Sequence, residues 1–234
     1  MLNFQQNGKI MKNFLTVLKD CPLFFGIEGN DVWAMLDCMG AKPKTFDKGQ
    51  NILTEGDKAD KIGILLDGQA EVTRVDYGGN KSIISTIHPS DLFAEAFACS
   101  QMKEMPVSVT TTQKSVSLMI DVQKIMTPCH NACNFHNKTI FNLLKAIADK
   151  NLNLNQKIEV TSKRTTRDKL LTYIMIVAKS KNSNRFCIPY DRQGLADYLE
   201  VDRSGLSAEI SKLKKDGIID CHKNTFAILR EDDV

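Results

Sequence analysis

The chain has 234 residues, a length that fits two modest domains better than one, and its 42% hydrophobic and 25% charged residues are typical of a folded protein. No apolar run approaches the roughly 20 residues of a membrane-spanning helix, and residues 1–12 lack the apolar core of a signal peptide, so we expect a cytoplasmic protein. Residues 161–230 hold 14 Lys and Arg against 8 Asp and Glu, and this basic excess favours a polyanionic partner.

Residues from about 40 to 125 have the pattern of short β-strands separated by turns. Glycine marks the tight turn at Glu55-Gly56-Asp57, where a positive φ is needed, and Tyr77-Gly78-Gly79-Asn80-Lys81 is a strong hairpin signal. So many short strands in succession predict an antiparallel β-barrel or β-roll. Residues 12–18 and 30–39 predict two helices before it.

Residues from about 133 to 160 predict one long helix with a heptad pattern. Its a positions are Asn137, Leu144, Asn151 and Ile158, and its d positions are Ile140, Ile147 and Leu154. Such a seam packs two helices together, and an Asn at an a position fixes a parallel, in-register dimer. Leu143 and Phe141 offer a second apolar face, which we expect to pack on the roll. The alternative is a helix that packs only on its own domain and leaves its polar residues in water.

The last part of the chain, from about residue 163, predicts a winged helix-turn-helix. Thr165-Thr166-Arg167-Asp168 opens a helix, and residues 185–190 form a short strand. Two further helices follow, and Gly217 is expected to end the second of them. Residues 218–229 then have the pattern of a hairpin, which would be the wing.

The helix pair itself is the most specific pattern in the chain. Asp191 and Asp202 are predicted N-caps, and only Glu200-Val201 joins the two helices. The second helix would be a recognition helix, whose first residues face base edges in the major groove. Arg203 could bind a guanine through two hydrogen bonds, whereas other basic residues would contact phosphates. The side chains expected at the DNA are Arg203, Ser204, Ser207, Ala208, Arg192, Gln193, Lys212 and Lys214.

Three motifs in the predicted order resemble the Crp–Fnr family of transcription regulators. They are Phe46-x-x-Gly49-x-x-Ile52-x-x-Glu55-Gly56-Asp57 of the roll, the effector-cassette motif Asp91-Leu92-Phe93-Ala94-Glu95-Ala96-Phe97, and Arg164-Thr-Thr-Arg167-Asp-Lys-Leu-Leu171 at the start of the DNA domain. The resemblance implies a homodimer along the long helix and an effector pocket between roll and helix. It also implies DNA domains that rotate on activation, and RNA polymerase as a partner if the protein activates transcription.

The chain departs from the family at the cassette. Ala94 stands where cyclic-nucleotide binders have glycine, and Met105-Pro106 replaces an Arg-Ser pair that binds phosphate. Methionine carries no charge for a phosphate and proline has no amide hydrogen, so cyclic AMP is not expected to bind. An apolar or aromatic effector is predicted instead; the alternative is that these side chains fill the core of the roll. The candidate effector residues are Phe93, Ala94, Glu95, Phe97, Met102 and Met105.

The DNA domain departs from the family as well. Glu200 stands where the family usually has a turn glycine, which costs on the order of 1 kcal/mol if φ is positive there. Ala208 replaces the second recognition arginine of the family, while Arg203 and Glu209 keep to the family pattern. The resemblance therefore implies an operator half-site different from that of the best-known members.

A separate cluster of metal-binding residue types precedes the long helix. Cys129, Cys133 and His136 have helical spacing, and thiolate and imidazole suit zinc or another soft metal, or a redox disulfide between the thiols. A helix start with small and polar residues is the alternative. Cys21 and Cys38 are too few and too far apart for the iron–sulfur cluster of the oxygen-sensing branch.

The sequence therefore predicts an α+β protein with a sensor roll in residues 1–130, a dimerisation helix in 131–161 and a DNA-binding domain in 162–234. No catalytic group of residues is visible, so an enzyme is not expected. The predicted function is DNA-binding transcription regulation by a homodimer under a small-molecule effector other than cyclic AMP. The alternatives are a metal or redox sensor and a ligand-binding module without DNA binding.

Overall fold

The computed structural model describes residues 14–75, 78, 81–100, 102–127 and 134–230. The chain divides into two compact units, Met1–Ala148 and Asp149–Val234, and the predicted α+β class is confirmed. A single long helix contributes to both units, so this division neither confirms nor contradicts a separate dimerisation helix. The predicted three-part organisation stays a prediction. No helix within the described ranges has both the length and the apolar character that a membrane span requires.

The first unit begins with helical segments that cover one side of its core. Helix α1 (Leu15–Asp20), a 3₁₀ turn (Pro22–Phe24) and helix α2 (Gly29–Cys38) come first. The bounds of α2 agree with the prediction within a residue at each end, while the predicted start of the first helix lies outside the described residues. Buried side chains anchor these segments on the core, among them Leu18, Phe24 and Leu36.

The strands of the first unit form two four-stranded antiparallel sheets, which confirms the predicted roll. The elements are β1 (Lys42–Phe46), β2 (Asn51–Leu53), β3 (Lys61–Asp67), β4 (Ala70–Val75), β5 (Lys81–Ile87), β6 (Leu92–Phe93), helix α3 (Glu95–Ala98), β7 (Ser108–Thr111), β8 (Ser115–Asp121) and helix α4 (Val122–Met126). Sheet one has the order β1-β8-β3-β6 and sheet two the order β2-β7-β4-β5.

Strand β5 pairs with β4 and, within the described residues, is the last strand of sheet two. Val75 pairs with Lys81, as the predicted hairpin requires, while most of the predicted turn lies outside the described residues. The register shifts so that Thr73 pairs with Ile83 but Val72 pairs with Ser85. Ile84 is therefore the extra residue of a β-bulge, and it and Ile83 are 57% and 60% exposed.

Strand β3 carries a glycine because an aromatic ring lies directly over its backbone. Gly63 pairs with Phe93 of β6, and a Cβ atom built on Gly63 would lie 2.0 Å from Cζ of the Phe93 ring. Phe93 is 3% exposed and belongs to the apolar core of the roll together with Leu65 and Val109. Glycine at position 63 thus makes room for the largest side chain of this part of the core.

The long helix α5 (Asn134–Thr161) matches its predicted bounds. Leu143 is buried in the core of the first unit, as expected, but Phe141 is 64% exposed, so the prediction that Phe141 packs on the roll is wrong. The reason is helical geometry, because positions i and i+2 lie on nearly opposite sides of a helix. The buried side of this segment instead carries Thr139, Asn142 and Ala146.

The second unit has the predicted winged helix-turn-helix topology. Its further elements are helix α6 (Thr166–Lys181), β9 (Arg185–Cys187), helices α7 (Arg192–Leu199) and α8 (Arg203–Lys215), β10 (Ile219–His222) and β11 (Thr225–Ile228). The strand order is β10-β11-β9, so the wing hairpin is extended by the short strand that precedes the helix pair. Thr165 caps α6, and its hydroxyl accepts a 3.0 Å hydrogen bond from the amide of Asp168.

Candidate nucleic-acid interface and effector region

Both helices of the helix-turn-helix begin at the predicted caps. The carboxylate of Asp191 accepts a 2.7 Å hydrogen bond from the amide of Gly194, and that of Asp202 accepts one of 2.9 Å from Gly205. The Ser204 hydroxyl also donates to Asp202, and these bonds lower the pKa of Asp202 below its ordinary value. Each cap satisfies an amide that a helix start leaves without a partner.

The two helices pack together through apolar side chains at helical spacing. All of these are buried: Leu195, Ala196, Leu199, Leu206, Ile210 and Leu213. Between the helices, Glu200 has φ +54°, in the left-handed region, as its place in the turn predicted. Its carboxylate lies 3.5 Å from the ammonium of Lys157 on α5. The opposite side of α8 is left open to a partner.

Most predicted DNA-contacting side chains are exposed on or beside α8. Arg203 is the first residue of this helix. Ser204, Ala208 and Lys212 are exposed on it, and Ser207 is half-buried. Gln193 donates a 2.8 Å hydrogen bond to Asp197, and Arg192 is half-buried with its guanidinium 4.0 Å from the sulfur of Cys221. These two polar side chains of α7 therefore already have partners within the unit.

Lys214, predicted at a phosphate, is bound to the wing. Its ammonium lies 2.9 Å from the carboxylate of Asp220 and donates a 2.8 Å hydrogen bond to the carbonyl of Cys221. The bond to Asp220 raises the pKa of Lys214 and lowers that of Asp220. Lys214 thus ties α8 to β10, and its contact with DNA stays a prediction. Lys212, in contrast, is exposed, and it is the better choice for testing a phosphate contact.

Two basic residues of α6 contact the helix-turn-helix in ways that the sequence analysis did not anticipate. Arg167 lies 3.3 Å from the carboxylate of Glu209 on α8. Lys169 donates to the carbonyls of Leu199 and Glu200, at 3.2 and 3.4 Å, where α7 ends. Arg167 was visible in the motif that opens α6, but its partner lies 42 residues away and nothing local indicates that pairing.

The candidate effector residues belong largely to the core of the roll. Phe93, Ala94 and Met105 are 3%, 9% and 2% exposed and pack in one apolar cluster, with Phe97 half-buried beside them. The amide of Met105 donates to the carbonyl of Asp57 at 2.7 Å, so its backbone is also engaged. These side chains are part of the interior of the roll, and their contact with an effector stays a prediction.

The cassette has a left-handed backbone conformation at Ala94, the position at which cyclic-nucleotide binders have glycine. Ala94 has φ +63°, a left-handed conformation that costs an alanine roughly 1–2 kcal/mol. Glu95 follows it at the start of α3 and is buried. Met102, in contrast, is 45% exposed and borders a surface cavity of about 540 Å³ with Ala98 and Lys103.

The predicted dimer seam lies partly open and partly against the first unit. Leu144, Leu154 and Ile158 are 64%, 61% and 62% exposed. Asn151 is also exposed and accepts a 2.9 Å hydrogen bond from Asn155. Of the other three positions, Asn137 is exposed, whereas Ile140 and Ile147 are half-buried and pack on the core of the first unit.

The candidate metal residues are described only in part. Cys129 and Cys133 lie outside the described residues, while His136 is 2% exposed with Nε2 3.2 Å from the carbonyl of Lys124. Among the residues that the structure describes, no three His, Cys, Asp or Glu side chains are grouped as a metal site would need. A metal or redox role for the cluster stays a prediction.

Comparisons with known proteins relate this chain to a nucleotide-binding domain and to transcription regulators. Residues 43–130 match the family model described as the cyclic nucleotide-binding domain. The transcriptional activator protein FnrL of Cereibacter sphaeroides is 23% identical over 185 residues, 75% of this chain and 71% of FnrL. A CRP-like cAMP-activated global transcriptional regulator of Mycobacterium tuberculosis is 25% identical over 79 residues, 34% of each protein.

Solved structures share the fold at low sequence identity. The structure of CprK complexed with OCPA has a TM-score of 0.58 at 11% identity, covering 86% of this chain and 89% of that one. The sensor domain of the transcriptional regulator DNR from Pseudomonas aeruginosa has a TM-score of 0.52 at 16% identity, covering 64% and 95%. With a match to the cyclic nucleotide-binding domain over residues 43–130 and a regulator relative that aligns with 75% of its length, the chain resembles the Crp–Fnr family of transcription regulators.

Proposed function

We propose that this regulator binds double-stranded DNA as a homodimer under the control of a small-molecule effector other than cyclic AMP. The observation that carries the proposal is the open side of α8, which presents Arg203, Ser204 and Ala208 from a capped and firmly packed helix. Such a protein would act on the chromosome in the cytoplasm as a regulator and not as an enzyme. If it activates transcription, RNA polymerase would be a further partner.

The proposed DNA contacts fall into two groups. Arg203, at the first turn of α8, would read a guanine, with Ser204 and Ser207 beside it. Arg192, Gln193, Lys212 and Lys214 would hold the phosphate backbone; Lys214 would do so while it also supports the wing. A two-fold dimer would require an inverted-repeat operator with half-sites about one helical turn apart.

We expect Arg203→Ala to relax base preference at one symmetric base pair of an operator selected from random duplexes. A bidentate contact to guanine contributes about 1–3 kcal/mol of discrimination, and that difference should disappear in the variant. Lys212→Ala is the matched control, because loss of a phosphate contact weakens binding to all sequences alike and lowers the salt slope by about one. Fluorescence anisotropy with single-base operator variants measures both. If Arg203→Ala weakens binding equally to every operator variant, Arg203 contacts a phosphate and not a base.

The proposed dimer forms along α5. Leu144, Leu154 and Ile158 supply exposed apolar side chains at heptad positions, and Asn151 would set the register by a hydrogen bond across the axis. Ile140 and Ile147 would serve both the seam and the core of the first unit. The half-buried state of these two isoleucines in one protomer is consistent with that double role.

Calorimetric titration with cyclic AMP is expected to give no binding at micromolar concentrations. Met105 supplies no positive charge for the phosphate, Pro106 no amide, and Phe93 and Met105 are packed into the core of the roll. A relative that is activated by cyclic AMP provides the positive control. The proposal about the effector would be overturned by micromolar binding that Glu95→Ala abolishes.

A further inference from the structure

Arg167 joins the first helix of the second unit to the recognition helix through two carboxylates. Its Nη1 lies 3.3 Å from Oε1 of Glu209 and 3.6 Å from Oδ2 of Asp216. The side chains of Arg167 and Glu209 are only 30% and 20% exposed, so solvent screens this pair less than an exposed surface pair. Asp216 is the C-cap of α8.

The spacing of the two carboxylates makes the contact directional. Glu209 and Asp216 are seven residues apart, which is about two turns, and therefore lie on the same side of α8. Because one nitrogen, Nη1 of Arg167, contacts both carboxylates from α6, the two contacts together resist rotation of α8 about its own axis. That rotation decides which side chains at the start of α8, Arg203 above all, face a base.

The charges support the same assignment. Two uncompensated carboxylates on a helix that approaches DNA would repel its phosphates, and Arg167 offsets both of them. Because these acids engage its guanidinium, Arg167 is less available to a phosphate than an unpaired arginine would be.

We propose that Arg167 is a positioning residue for DNA reading, acting through Glu209 and Asp216 on the orientation of α8. The inference rests on the proposed DNA-binding function. It assigns to the motif at the start of α6 a specific task, which is to hold the recognition helix at the angle from which Arg203 reads its base.

The test compares Arg167→Gln, Glu209→Gln and the double variant on two duplexes, the selected operator and an unrelated sequence. Each single change should lower the ratio of operator to unrelated affinity by about tenfold, the effect of losing one charged hydrogen bond. The double variant should fall no further, because both changes remove the same contact. Arg164→Gln and Asp168→Asn change the same charges on nearby exposed residues and should leave the ratio unchanged.

Glu209→Gln separates positioning from phosphate binding by the sign of its effect. If Arg167 instead binds phosphate, this change frees the guanidinium and removes a negative charge, so operator affinity would rise and the inference would be wrong. A salt slope that falls by about one in Arg167→Gln would lead to the same conclusion. Positioning predicts a reduced ratio with an unchanged slope.

Two controls show that a reduced ratio does not come from misfolding. They are urea unfolding of each variant and the conservative variant Arg167→Lys. Lysine keeps the charge but carries it on a flexible stem without the rigid donor group of arginine, so its ratio should lie between those of the wild type and Arg167→Gln. A lysine variant as poor as the glutamine variant would contradict the proposal. If the wild-type protein selects no sequence at all, the proposed DNA-binding function fails instead, which is a distinct outcome.

Discussion

Leu154→Asp is expected to raise the dissociation constant of the proposed homodimer by about hundredfold or more. Full burial of one leucine contributes roughly 1.5–3 kcal/mol, and a two-fold dimer loses two copies, in addition to the cost of placing a carboxylate in an apolar seam. Leu154 is 61% exposed in a single protomer, so the change leaves the fold of each unit intact. Sedimentation equilibrium measures the dissociation constant.

Leu152→Asp is the matched control for this experiment. Leu152 is 59% exposed on the same helix, but it lies outside the a and d positions of the heptad. The same new charge there should leave the dimer unchanged. Dissociation by both variants, or by neither, would mean that the copies do not meet along the predicted seam. Ile147→Asp is less informative, because Ile147 also packs on the core of the first unit.

Gly63→Ala is expected to destabilise the roll by about 3 kcal/mol, at the upper end for overpacking of a core. The new Cβ would stand 2.0 Å from Cζ and 2.2 Å from Cε2 of Phe93, and both atoms belong to a ring held on its other sides by the core. The ring must therefore leave its position. Urea unfolding followed by circular dichroism measures the loss.

Gly49→Ala provides the comparison within the same unit. Nothing lies within 4 Å of a Cβ at that position, but its φ of +82° is unfavourable for alanine, so a cost of about 1 kcal/mol is expected. Adding Phe93→Leu to Gly63→Ala should recover part of the loss, since the smaller side chain can withdraw from the new methyl group. Equal costs for Gly63→Ala and Gly49→Ala would contradict the packing described here.

The sequence predicts well those features that local chemistry determines. The caps at Asp191 and Asp202, and the start of a helix at residues 165–168, depend on residues within one turn and are observed. The buried stripe of α8 follows from helical periodicity alone. The error at Phe141 has the same origin, because that prediction placed two residues with a spacing of two on one helix face.

Long-range pairing is the part that the sequence could not supply. The chain order suggests that β3 and β4 are neighbours, but they lie in different sheets, and Gly68 between them has φ +90°. Lys214 looked like a free cation because Asp220 follows it only after the chain has turned into the wing. The partner of Arg167 is equally remote. Function at such positions depends on tertiary contacts that no local pattern encodes.

The bulge in β5 bears on how this edge of sheet two meets strands of other molecules. A regular outer strand with two neighbouring isoleucines would offer a straight row of amides and carbonyls to a strand of another molecule. The extra residue at Ile84 interrupts that row and increases the local twist, so a foreign strand meets a poor template. The roll can therefore leave Ile83 and Ile84 in water without inviting intermolecular sheets, the first step of aggregation.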